Sequence, residues 1–144
     1  MQTAPHRFNV PSHLAEAYAA GHIRQALRPV RAADQPPYSA GDELQLHIGL
    51  RTPLPTQLAT TVITGVFDIT IDLPRDFVAL SGPMPGADGH AATCTDILTP
   101  YQLEGFARAS GHATWAAMRE QLAASPLFAG QPKWMGHLIT WSAP

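Results

Sequence analysis

Residues 41–52 read GDELQLHIGLRT. Leu44, Leu46, Ile48 and Leu50 alternate with Glu43, Gln45, His47 and Gly49, and a period of two sends alternate side chains to opposite faces of a strand. The pattern predicts a strand with the four aliphatic residues on a buried face and the polar set on the other, entered through a Gly41-Asp42 turn. The same period recurs over 58–72, as one strand or as two joined near Gly65. Ile63, Phe67, Ile69 and Ile71 share one face there, and Thr64, Asp68, Thr70 and Asp72 the other. Gly65 breaks the inward series, the mark of a bulge or a tight bend. The Asp68-Thr70-Asp72 stripe is expected on the sheet surface, with the wall of a cleft as the alternative.

Upstream, Ser12 is a candidate cap for a short helix over 13–20, with Leu14, Ala17 and Tyr18 on one face and Gly21 as the stop. A short strand follows over 24–28, then a proline-bounded loop over 29–39. Downstream, 81–96 (SGPMPGADGHAATCTD) is rich in Gly and Pro and reads as a long surface loop. It has glycines but no lysine and no strand–loop–helix setting, so a phosphate loop is dismissed. Thr99-Pro100-Tyr101-Gln102 opens a helix with Thr at the N-cap, Pro at the first helical position and Gln closing a capping box. Leu103, Phe106 and Ala107 form its inner face, and Gly111 ends it. A second helix over 113–124 buries Trp115, Met118 and Leu122, which read as core rather than as a stacking platform. Residues 137–141 form a closing strand. The expected class is α+β.

The chain has 144 residues, 14 of them proline and one cysteine, with 14% charged residues and a net charge of −2. Typical domains are about 25% charged and about 5% proline, so the composition argues for a turn-rich fold of short elements. The length predicts a single domain over 1–144, with room for one hydrophobic core and not two. No apolar run approaches the roughly 18 residues of a membrane span. The N-terminus shows no signal-peptide pattern, and Cys94 alone supplies neither a disulfide framework nor a multi-thiolate metal site. A cytoplasmic setting without membrane contact is expected.

The order and motifs together resemble the ASCH family, whose fold is a PUA-like β-barrel. The resemblance rests on RFNVPSHLAEAYAAGHIRQALRP, on GDELQLHIGLRT, on LEGFARASGHATWAAMREQL and on WMGHLITW, and it covers about 7–141. It implies a mixed barrel of about five or six strands with flanking short helices. It also implies a cleft beside the barrel that binds nucleic acid, with RNA or a modified nucleotide as the ligand. One branch of the family deacylates N4-acetylcytidine with a Lys, a Thr and a Glu. The matching positions here are Ile23, Ala26 and about Ser110, so that activity is not expected. Pro53-Leu54-Pro55-Thr56-Gln57 stands where relatives carry further basic residues, which thins the basic patch.

Eight of the nine cations are arginine, and the pI near 6.3 does not mark a nucleic-acid binder by itself. Arg24 and Arg28 lie four residues apart and leave one face of a strand, and Arg51 at the end of the central strand is placed to converge on them. Guanidinium groups bind phosphate in a bidentate way and stack on bases. Gln25, His47 and Thr52 are candidates for hydrogen bonds to base edges or a 2′-OH, and Lys133 with Trp134 for a cation beside a stacking aromatic. Pairing of these arginines with Asp34, Asp42 or Glu43 is the alternative, and Trp134 covering the barrel end is another.

Seven histidines (6, 13, 22, 47, 90, 112 and 137) lack zinc-site spacing, and His90 with Cys94 supplies two ligands at most. No metal or cofactor is implied. A metal-independent ribonuclease in the same cleft would use His47, or else His22, as its base and Arg51 or Arg28 as its cation. A protein-interaction domain is the third reading. Oligomeric state is not legible in the chain.

Overall fold

A computed structural model describes residues 5–35, 37–85 and 91–144, and the side chains of all of these except 83–85 and 91–95. The elements run β1 (His6–Asn9), α1 (Ala15–Ala19), β2 (Gln25–Arg28), β3 (Glu43–Ile48), β4 (Thr56–Asp72), β5 (Phe77–Pro85), β6 (Ala91–Ile97), α2 (Pro100–Ala109), α3 (Trp115–Ala124) and β7 (Lys133–Trp141). The class is α+β. The seven strands form one sheet along the path β1-β3-β4-β5-β6, with β7 on β4 and β2 on β7. Among the described residues no pairing joins its ends, so the sheet is not closed into a barrel.

β4 is the spine. Gly41 N–H and Ile63 N–H bond to Ile63 C=O and Asp42 C=O, while Val62 C=O accepts from Ser142 N–H. Neighbouring residues of a strand turn their backbone groups to opposite edges, so β3 and β7 lie on opposite edges of β4. β3 pairs with Thr56–Val62, β7 with Ile63–Asp72 and β5 with Asp68–Asp72. β5 therefore takes over the edge that β3 leaves.

The register shifts between Ile63 and Gly65, and this bulge overturns the single apolar face expected of 58–72. An inserted residue reverses which face later residues occupy. Ile63 packs with Phe8, Val10, Tyr18, Ile23, Leu44, Leu46, Ile139 and Trp141. Ile69 and Ile71 pack instead with Val78, Leu103, Phe106, Trp115, Met118, Leu122, Phe128 and Leu138 under α2 and α3. The buried residues thus form two clusters on the two faces of the β4–β7 pair, where the length argument expected one core.

Other expectations are corrected in detail. Ser12–Leu14 is a 3-10 turn in front of a five-residue α1, and Ser12 makes no capping bond. β1 is a strand that the pattern did not reveal; it pairs in parallel with β3. The 81–96 loop is mostly hairpin: β5 runs to Pro85, β6 starts at Ala91, and they pair throughout. Leu98 N–H donates to Val78 C=O, so even-numbered residues of β5 face β6. Pro83 and Pro85 turn their nitrogens to the other edge, where pairing with β4 has ended at Ser81, and lose no ladder bond. The pair His90 and Cys94 lies outside the described residues and side chains. The helix start is as read: Thr99 Oγ1 accepts from Gln102 N–H, and Gln102 Oε1 from Thr99 N–H.

Phe67 locks the bulge. A Cβ on Gly65 would stand 2.7 Å from its ring and one on Gly82 2.4 Å, so the ring lies flat over both glycines. Gly82→Ala is expected to cost about 1–3 kcal/mol, the usual penalty for overpacking, and much less in a Phe67→Leu background. Urea unfolding of the two single variants and the double variant checks this.

Asp76 ties α3 to the turn between β4 and β5. Its Oδ1 accepts from Trp115 Nε1 and from Arg119, each at 2.8 Å. The indole hydrogen bond, aided by Arg119, holds its pKa below the ordinary aspartate value of 3.8. The stabilisation is present in full above 3.8 and lost as pH falls below it through the lowered value. Asp76→Asn keeps an acceptor and tolerates the left-handed backbone (φ 50°). It should flatten that acid-side loss in unfolding curves recorded between pH 6 and 3.

Candidate functional site

The start of β2, the end of β7 and the end of α2 enclose a cavity of about 480 Å³. His22, Arg24, Gln25, Thr64, Thr140 and Ser142 give it polar groups, and Ala109 and Trp141 complete it. The bulge helps to build it, since Gly65 aligns with Thr140 and Thr64 Oγ1 lies 3.0 Å from Thr140 Oγ1. Gln25, on the helix-facing side of β2, donates from Nε2 to Ser110 Oγ (2.7 Å) and to Phe106 C=O (3.5 Å). Both amide hydrogens are thereby engaged, and Oε1 has no hydrogen-bond partner among the described residues. Arg24 is exposed, its C=O accepting from Trp141 N–H. None of the lining residues is acidic.

The other expected site residues lie elsewhere. Arg28 points to the opposite side of β2, its Cζ 3.8 Å from the centre of the Phe8 ring. Burial holds its pKa below the ordinary arginine value; Tyr38 and Tyr18 oppose that shift and Arg31 adds to it. His47 was expected on an outer polar face but is buried, at the point where the β3–β4 register shifts between Leu46 and His47 and the regular alternation is interrupted. Its Nε2 lies 3.2 Å from Gln45 Oε1, and Nδ1 is buried without a partner. Arg51 is exposed in the turn after β3, and Thr52 closes that turn on Gly49 C=O through both N–H and Oγ1. Lys133 opens β7 beside Asp72. Trp134 stacks on Phe128 at 5.6 Å and packs on the helix-side cluster, so it covers the core. Asp68 is surface, its side chain 78% exposed. The residues read as one arginine-lined cleft are therefore dispersed, and only Arg24 and Gln25 share the cavity just described.

Sequence reasoning missed a second concavity. Arg31, Tyr38 and His137 line a cavity of about 350 Å³ between the 29–39 loop and the sheet. Arg31 stands over the Tyr38 ring at 4.6 Å and donates from NH1 to His6 Nδ1 at 3.1 Å. His6 Nε2 in turn lies 2.9 Å from Asp42 Oδ2. The spacing of Arg24, Arg28 and Arg31 was the signal available, but nothing in the chain places Tyr38 or His137 against them.

Among the described residues no group of three or more His, Cys, Asp or Glu is placed to hold a metal ion, and no helix is long and apolar enough to cross a membrane. Comparison with protein-family models, with curated proteins and with solved structures finds no match to the chain.

Proposed function

We propose that the chain is an ASCH-type, PUA-like module that binds a short single-stranded RNA segment, or a modified nucleotide, in the cavity around Arg24 and Gln25. On this reading the open seven-stranded sheet corresponds to the family's barrel, and the setting is cytoplasmic. The observation that carries it is the polar lining: a guanidinium, an imidazole, hydroxyls and a fixed amide with a free acceptor, and no carboxylate. An arginine meets a backbone phosphate, while hydroxyls and an amide oxygen suit base edges and a 2′-OH. Gln25 is pre-oriented by Ser110, so little side-chain entropy is lost when its Oε1 accepts a hydrogen bond.

A ribonuclease is the second reading, and one observation favours it: His22 lines the cavity with Arg24, which pairs a candidate base with a cation beside a 2′-OH. His47, buried on β3, is the weaker base. A protein-interaction role is what absence of RNA binding would leave.

Fluorescence anisotropy with labelled single-stranded RNA should show binding that weakens as salt rises, because phosphate contacts release counterions. Arg24→Ala is expected to lower affinity about five- to ten-fold and to reduce the salt slope by about one. A denaturing gel of the same samples separates the two readings: cleavage abolished by His22→Ala establishes the enzyme. No binding by the parent chain at low salt overturns both.

A further inference from the structure

Five side-chain nitrogens among the described residues are buried without a hydrogen-bond partner. Two of them, Arg31 Nε and Arg28 Nε, are guanidinium nitrogens of a residue that lines the second cavity and of one that stands behind it, within electrostatic reach of Arg31 and Tyr38. A buried donor without an acceptor costs about 1–3 kcal/mol, and in folded proteins such groups usually meet an ion or a water. Arg28 and His137 are direct cross-strand neighbours on β2 and β7, and His137 lines the cavity together with Arg31.

Neither guanidinium there touches a carboxylate among the described residues. Arg31 donates to His6 Nδ1, so the His6 proton sits on Nε2 and is shared with Asp42. The imidazole thus separates the Arg31 cation from the Asp42 carboxylate. Arg28 has no ion pair among the described residues, and its guanidinium rests on Phe8. Asp68 Oδ1 is 3.2 Å from His137 Nδ1, with the aspartate side chain turned largely to solvent. No residue lining the cavity is acidic, and Val30, Pro37 and Val66 give it apolar walls.

We propose that this cavity binds a small phosphate ester of about nucleoside-monophosphate size, with the phosphate on Arg31, backed by Arg28 and His137, and the organic part against the apolar walls. The side of the Arg31 guanidinium that does not donate to His6 is left for an oxyanion, the partner that guanidinium favours. The volume of about 350 Å³ falls within the usual range for small-ligand pockets, roughly 300–1,000 Å³. The site is separate from the Arg24 cavity and does not rest on the RNA-binding reading.

Calorimetric titration of the full chain with inorganic phosphate, adenosine and adenosine 5′-monophosphate tests the proposal, with backbone amide NMR shifts recorded on the same additions. The monophosphate should bind about ten-fold tighter than inorganic phosphate, and adenosine should not bind. Shifts should centre on Arg31, Tyr38 and His137. Arg31→Gln should weaken the monophosphate at least ten-fold, Arg31→Lys should fall between, and Arg75→Gln, at a position exposed in the β4–β5 turn and lining neither cavity, should have no effect. If Arg31→Gln does not fold, the shift map on the parent chain decides. Adenosine binding as tightly as its monophosphate, free phosphate binding equally well, shifts centred on His22 and Arg24, or no saturation by any of the three overturns the proposal.

Discussion

The change of partners along β4 is the constraint on which the rest of this fold depends. One strand of 17 residues serves β3 over its first half, β5 over the end of its second half on the same edge, and β7 on the opposite edge. The bulge between Ile63 and Gly65 reverses the faces midway. A single strand can therefore supply Ile63 to the cluster around Phe8 and Trp141, and Ile69 and Ile71 to the cluster beneath α2 and α3. Without the reversal, one of these sets would face the wrong layer. Phe67, pressed over Gly65 and Gly82, fixes where the reversal falls.

The same geometry distributes the cations. β2 adds to β7, whose alternate residues face the helices or the opposite layer. Gln25 is thus delivered to Ser110 on α2, while Arg28 is delivered to Phe8 and the 29–39 loop. The bulge brings Thr64 and Thr140 together beside Arg24. Two polar concavities result where one cleft was expected. One is lined by neutral hydrogen-bonding groups and an exposed arginine. The other holds a guanidinium kept in place by an aromatic ring and a histidine.

Local signals were legible where one interaction decides the structure. The alternation at 43–48, the Thr99–Gln102 capping box and the Trp115-Met118-Leu122 stripe all correspond to observed elements. Features that depend on distant partners were not. Strand β1 is four residues long and pairs in parallel across a gap of more than thirty residues, so no hairpin signal announces it. His47 shows an outward phase in the pattern, yet it is buried where the β3–β4 register shifts, an irregularity the alternation does not announce. The prolines of 81–85 read as loop because their tolerance depends on which edge β4 vacates. Arg31, Tyr38 and His137 meet only because β2, β7 and the 29–39 loop are stacked by the fold.

If β4 is one continuous spine, the two clusters on its faces unfold together. Native-state hydrogen exchange on the full chain tests this most directly. The account predicts that the hydrogen-bonded amides over 58–72 exchange in a single class, through global unfolding, with no step in opening free energy across Gly65. Two classes divided at Gly65, with the β3-paired half opening on its own, would contradict it.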